Sequence, residues 1–424
     1  MSYEINAPEF RFEGFSVEWE RSYLGNLCQI GDIDHRMPES KSTGIPYLMT
    51  GDFYGINGLD FGNAKLISIE DYELLSKKIK PEFGDILFAR YASVGAVRYV
   101  ETDTKFLISY SCAILKTNNT TYGKYLFYFF QTKKAQAQFE LGINTGSQRN
   151  IGIDTLKSLS VALPKPMEQT QIGNYFQKLD TLINQHQQKH DKLSNLKKAM
   201  LEKMFPKAGE TVPEIRFDGF SGEWEQVPFN EAFSFLSSNT LSRAELNYEQ
   251  GKARNIHYGD ILVKFGDVVD AQGADIPFIS SDELVSKMSA TKLQDGDVLF
   301  ADAAEDASVG KCVEVTNVGE HIVFSGLHTI ATRPNQVFAS NYLGYYLNSG
   351  AFHQQLVPLM QGTKVLSISK KAISTVDVKY PSDRQEQEEI GKYFHQLDEL
   401  INQHSQQITK LKNIKQACLD KMFV

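Results

Sequence analysis

Two long stretches of the chain place apolar residues at alternating steps of three and four. In the first they are Ile172, Phe176, Leu179, Ile183, Leu193, Met200 and Met204, with polar His186, His190 and Lys197 among them. In the second they are Ile390, Phe394, Leu397, Ile401, Ile408, Leu411, Cys418 and Met422. Steps that add to a heptad predict a helix with one narrow apolar seam. Neither stretch contains Pro, or Gly past its first turn, and each extends roughly 55 Å at 1.5 Å per residue. The expected helices span 166–206 and 384–424. So narrow a stripe suits one partner helix, and each stretch is the obvious partner of the other, paired antiparallel.

Shorter apolar runs beside turn residues predict strands at Ile45–Met49, Asp85–Ala89, Phe106–Leu115 and Leu159–Leu163. In the second half the matching runs are Ile261–Lys264, Asp297–Ala301, His321–Phe324 and Val376–Val378. Helices are predicted at Ile69–Lys77, Tyr122–Gln138 and Ser340–Leu347. Pro164 and Pro166 close the first mixed region, Pro381 closes the second, and Phe205–Thr211 is the linker between halves. The fold class is α+β: two globular mixed α/β regions, 1–165 and 207–383, joined by two long antiparallel coiled-coil helices.

The chain is also a duplication. Over Gln169–Phe205 against Gln387–Phe423, 22 of 37 positions are identical at a constant offset of 218. PEFRFEGFSVEWE (Pro8–Glu20) recurs as PEIRFDGFSGEWE (Pro213–Glu225), and the only two tryptophans, Trp19 and Trp224, sit in these copies. GDILFA (Gly84–Ala89) matches GDVLFA (Gly296–Ala301) at offset 212, Ser93-Val94-Gly95 matches Ser308-Val309-Gly310, and Tyr125-Leu126 matches Tyr342-Leu343. An offset that climbs and then settles marks one ancestral half copied, with insertions collected in the second copy. The frame is shared and the two inserts have diverged, which predicts pseudo-two-fold symmetry.

The 424 residues allow two or three domains. MSYEINAPEF carries no basic cluster followed by an apolar run, so no secretory leader is expected, and Tyr125–Phe130 is too short to span a bilayer. Four dispersed cysteines, none in a CxxC, point to a reducing cytoplasm and away from disulfides or zinc. The net charge of −8 argues against nucleic acid until it is divided: Glu20–Lys165 holds 17 Lys/Arg against 15 Asp/Glu, and Glu225–Arg384 holds 13 against 19.

Catalytic constellations are missing: no GxxxxGK[ST], HExxH, GxSxG, Asn/Asp-Pro-Pro-Tyr/Phe or glycine-rich cofactor fingerprint occurs. His186 and His404 recur on the seams and are read as register-setting polar positions. Asp85 and Asp297 are read as turn residues bonding local amides, and Tyr125–Phe130 as core. Polar loops offer nucleic-acid contacts at Arg36, Lys41, Ser42, Thr43, Arg90, Tyr91, Asn144, Ser147, Gln148 and Arg149, with His35, Lys133 and Lys134 nearby in sequence. The second insert offers Arg254, His257, Lys264, Thr363, Lys364 and Ser367, with Lys370 and Lys371 beyond. Such loops can place guanidinium and amide groups on phosphates and base edges.

Two divergent inserts, each opened by P-E-x-R-F-x-G-F-x-x-E-W-E and closed by Q-x-x-I-G-x-Y-F-x-x-L-D-x-L-I, resemble the specificity subunit of type I restriction–modification systems. The resemblance covers essentially the whole chain. It implies that the inserts are target recognition domains, each reading half of a bipartite, asymmetric site in double-stranded DNA, and that the paired helices (seam Ile172, Phe176, Leu179, Ile183, Leu193, Met200, Ile390, Phe394, Leu397, Ile401 and Leu411) set the spacer. It implies no catalysis by this chain. The chemistry would lie with two modification subunits that bind S-adenosylmethionine and with restriction subunits that use ATP and Mg. The outward helix faces, with the Trp19 and Trp224 segments, are the expected docking surface. The rival reading is a stand-alone nucleic-acid-binding regulator without enzymatic partners.

Overall fold

The structure is a computed structural model that describes residues 7–146, 149–273 and 275–424. It divides into two units: 1–188 with 405–424, and 189–404. Two 38-residue helices, Pro166–Lys203 and Arg384–Lys421, each contribute to both. No helix among the described residues is long and apolar enough to cross a membrane.

In the first unit an antiparallel sheet runs in the order Cys28–Gly31, Cys112–Thr117, Ile86–Ala89, Val97–Tyr99. Ile86–Ala89 is apolar at every position because both faces of its sheet are covered. Ile86 and Phe88 join the core formed with the helices, while Leu87 and Ala89 join a second core on the opposite face. There a smaller sheet, Lys65–Ile67, Ile45–Leu48 and Leu107–Ile108, packs with a parallel pairing of Tyr47 to Leu107.

The second unit repeats this plan. Phe233–Phe235, Thr329–Pro334, Val298–Ala301, Cys312–Thr316 and Val268–Asp270 form the main sheet. Val298 and Phe300 face one core, Leu299 and Ala301 the other. A four-stranded sheet containing the parallel pair Ala253–Ile256 and Ile322–Ser325 covers it. The Gly-Asp turns are as expected: Asp85 accepts from Glu82 N and Asp297 from Gln294 N, both at 2.8 Å.

Three expected elements differ. Ile261–Lys264 belongs to a helix, Tyr258–Val263, because the His257 side chain caps it by accepting from Gly259 N. Tyr122–Gln138 is two helices, Gly123–Phe129 and Lys133–Gly142, since Thr132 caps the second through Ala135 N. Phe106–Leu115 is two strands, interrupted at Ser109–Tyr110–Ser111.

Within each unit the long helices pair antiparallel, as Phe176 meets Phe423 while Asp180 meets Lys415 in the first, and Phe205 meets Phe394 while Lys197 meets Asp398 in the second. The seam has two partners instead of the one expected. Ile172, Phe176 and Leu179 share a core with Tyr125–Phe130 as well as with Leu419, Met422 and Phe423. Ile390, Phe394 and Leu397 do the same with Tyr342–Leu347, Met204 and Phe205. Ile183 is buried, and Leu193, Met200, Ile401 and Leu411 are half-buried. Gly173 and Gly391 permit the close approach, since a Cβ would lie 2.8 Å from the Tyr122 ring in one unit and from the Ser340 carbonyl oxygen in the other. The tryptophan rings lie inside: Trp19 packs edge-on to Tyr125 and Trp224 edge-on to Phe205. Arg11 holds the buried Glu168 carboxylate at 2.6 and 2.7 Å, and Arg216 holds Glu386 at 2.7 Å, fixing these frame segments to the helix starts.

The polar fastening is duplicated too. Lys415 lies 2.7 Å from Asp180, which accepts from Tyr128 Oη at 2.9 Å. Lys197 lies 2.6 Å from Asp398, which accepts from Tyr345 Oη at 2.8 Å, and Lys197 also reaches Asp267 at 2.6 Å. Lys415→Ala leaves the Asp180 carboxylate buried without its cation and is expected to cost about 3–5 kcal/mol. Lys415→Met with Asp180→Asn is expected to lose less than the single variant, measured by chemical unfolding of the full chain.

Glu314 has no carboxylate counterpart at offset 215, where the first half has Tyr99. It is 1% exposed and accepts from Asn341 N and Gly344 N at 2.8 and 2.9 Å. Burial pushes its carboxyl up to about 7 despite those donors. The folded chain therefore holds this proton more tightly than the unfolded one. The associated stability is full below 4.5, the ordinary value of a glutamate, and is lost as pH rises through about 7. Glu314→Gln should flatten that loss, so its melting temperature should gain on the wild type between pH 5 and pH 8; an equal difference at both pH values would count against this.

Candidate nucleic-acid interface

The polar loops of the first unit converge on Arg90, the residue that follows the Ile86–Ala89 strand. Its backbone N–H donates to Ser111 O at 2.8 Å and its carbonyl accepts from Ile151 N at 3.1 Å. Its side chain donates from Nε to Ile151 O at 3.0 Å and pairs with Asp32. One residue thus joins the segments at 32–36, 90–95, 109–111 and 143–151. Tyr91 bridges to Asn150, and Asn144 donates to the Asn150 side chain at 3.2 Å in the hairpin formed by Ile143–Asn144 and Asn150–Ile151.

Arg90 is 6% exposed, so it organises the loops from within and is corrected from a surface contact to an internal tie. Burial opposes ionisation of Asp32, but hydrogen bonds from His35 and Lys78 and the charges of Arg90 and Lys78 outweigh it and hold this carboxyl below its ordinary value. His35 donates to Asp32 at 3.0 Å and stacks on Tyr110 at 4.7 Å with a 20° tilt.

The other expected contacts of this unit fall in three places. Tyr91, Asn144 and Arg149 lie in the cluster, Arg149 reaching Glu140 at 2.7 and 3.0 Å from the surface. Lys41, Ser42 and Thr43 form an exposed loop before the Ile45–Leu48 strand, with Lys41 2.9 Å from Glu39, and Arg36 pairs with Asp71. Lys133 and Lys134 belong to the frame, bonding Asp420 and the Phe423 carbonyl. Ser147 and Gln148 lie outside the described residues.

The second unit uses the same backbone scaffold with a different residue at its centre. Asp302 N donates to His328 O at 3.1 Å, and Asp302 O accepts from Ile368 N at 2.8 Å. These are the Arg90 bonds displaced by 212 to 217 residues. Here the side chain reaches outward: His328 Nδ1 donates to Asp302 at 3.0 Å, and its ring meets Tyr258 edge-on at 5.2 Å. Ser367 lies on the Leu366–Ser367 strand paired with Ala303–Ala304, and Thr363 and Lys364 are exposed in its turn.

Arg254 is half-buried and tied to its own insert. Its guanidinium donates to the carbonyls of Gly273 and Ile276 and lies 4.6 Å from the Phe278 ring. His257 is buried as a helix cap, and burial with the nearby Arg243 lowers its pKa. Lys264 lies away from the Asp302 cluster, over Tyr248 and bonded to Asp275 O at 2.7 Å. Sequence reasoning missed Asp32, Tyr110, Tyr258, Asp302 and His328 as cluster residues. The usable signal was the position after each ILFA/VLFA strand, Arg in one copy and Asp in the other.

The family model described as the type I restriction modification DNA specificity domain matches twice, at residues 16–195 and 223–413. A relative in Methanocaldococcus jannaschii, named as the type I restriction enzyme MjaX specificity subunit, is 24% identical over 347 residues, covering 78% of this chain and 76% of its own. Among solved structures, the S subunit of a type I restriction–modification system from M. genitalium superposes with a TM-score of 0.58 at 17% identity, covering 99% of both chains. A chain from a structure titled for complex assembly and conformational transition of the type I R-M system superposes at 0.50 with 18% identity over 96% of this chain and 97% of that one.

Arg90→Ala removes the buried cation of Asp32, leaving it Lys78 and His35, together with the tie to Ile151 O, and is expected to destabilise the chain by about 1.5–3 kcal/mol. Arg149→Ala, at the surface, should stay within about 0.5 kcal/mol. Thermal unfolding of the two variants checks the contrast.

Proposed function

Because the chain belongs to the type I restriction–modification DNA specificity family, carrying the family domain twice, we propose that each unit reads one half of a bipartite, asymmetric site in duplex DNA. The observation that carries this is the pair of loop clusters. Matching backbone bonds at Arg90 and Asp302 hold loops of unlike sequence, as two readers of unlike half-sites require. Base edges in the major groove would be read from the clusters, and lysines and arginines around them would hold phosphates. The acidic balance of the second insert then means fewer phosphate contacts there and a shallower salt dependence for its half-site.

The repeated frame suits two copies of one partner, taken as modification subunits that carry S-adenosylmethionine and methylate adenine. Restriction subunits would supply ATP- and Mg-dependent translocation and cleavage. This chain contributes recognition and holds neither cofactor, and the length of its long helices sets the spacer between half-sites. Replacing residues 21–165 with the corresponding insert of another family member should change one half-site and preserve the other, read by mapping methylated adenines in cells that also carry the modification subunits. A change in both halves, or in neither, would refute the modular assignment.

A further inference from the structure

Both loop clusters hold a histidine clamped by a carboxylate against a tyrosine. His35 donates through Nε2 to Asp32 at 3.0 Å, and Asp32 is held by Arg90 and, at 3.0 Å, by Lys78. The ring lies nearly flat on Tyr110. His328 donates through Nδ1 to Asp302 at 3.0 Å and packs edge-on to Tyr258. Its backbone takes φ +56°, a left-handed conformation that histidine adopts more readily than most residues. Both side chains remain open to solvent, 58% and 50% exposed.

The recurrence does not come from the duplication. His35 follows the edge strand Cys28–Gly31, whereas His328 precedes Thr329–Pro334, where the first half has Ser111. Unrelated positions thus deliver the same group to the same place beside Arg90 and Asp302. An exposed histidine–carboxylate pair adds little to stability and costs side-chain freedom, so stability alone gives no reason for it to arise twice at this point.

We propose that His35 and His328 are base-reading residues, one for each half-site, each accepting a hydrogen bond from the exocyclic amino group of an adenine or a cytosine. This rests on the DNA-recognition reading above. The carboxylate takes the N–H of the neutral ring and so fixes the tautomer. The opposite nitrogen, Nδ1 of His35 and Nε2 of His328, then carries the lone pair. Adenine N6 and cytosine N4 offer donors in the major groove, while guanine O6 and thymine O4 offer acceptors that meet this lone pair unfavourably. The tyrosine sets the ring plane before DNA arrives, which lowers the ordering cost of binding.

The test is selection of duplexes with randomised half-sites by the full chain assembled with its modification subunits. His35→Ala should relax one position of one half-site, and His328→Gly, which accepts the left-handed backbone, one position of the other. Discrimination at each should fall about tenfold, the loss of one base contact, with the rest of the motif intact and melting temperatures unchanged. Motifs unaltered by both variants would overturn the proposal, as would affinity lost equally across all sequences. A wild-type assembly that enriches no bipartite motif would instead overturn the DNA-recognition reading itself.

Discussion

A lysine ammonium held against a carboxylate, buried in the first unit and half-buried in the second, sets how the other layers of each unit can lie. Lys415 and Lys197 reach across from one long helix to Asp180 and Asp398 on the other, and a tyrosine of the insert completes each group. Apolar contact alone would let two heptad helices slip by a turn at modest cost, because one leucine or phenylalanine replaces another acceptably. A buried carboxylate has no such substitute, and leaving it unpaired is costly. Register, helix direction and the seating of the insert on the helices are therefore set together. The lysine rings this out further by lying over the tyrosine face, at 5.3 Å for Lys415 and Tyr128 and 5.1 Å for Lys197 and Tyr345.

This explains why the apolar seam has more than one neighbour. Phe176 is in contact with Tyr128 of the insert as well as Phe423 of the second helix, and Phe394 with Tyr345 as well as Phe205. The aromatic helices Gly123–Phe129 and Tyr342–Asn348 are the middle layer of each unit, between the main sheet and the long helices. Their run of consecutive aromatics is needed because they are covered on nearly every side.

The long helices, the duplication and the sheet strands could be read from the sequence because each repeats a simple period over many residues. The interior of the clusters could not. Arg90 and Arg254 have the composition of DNA contacts, but their side chains are held by Asp32 and by the carbonyls of Ile151, Gly273 and Ile276, which are not their neighbours in sequence. The Tyr258–Val263 helix was hidden for a related reason: its four apolar residues fit a strand as well as a helix, and a histidine cap decided between them. The Trp19 and Trp224 segments are charged around their tryptophans, and the rings turn inward.

The backbone bonds around Arg90 and Asp302 are the same although one side chain is cationic and the other anionic. A scaffold held by main-chain groups tolerates either sign of charge at this point. Replacements at the exposed loop positions around it therefore cost the fold little, whereas Arg90 and the groups it ties together would have to change as a set.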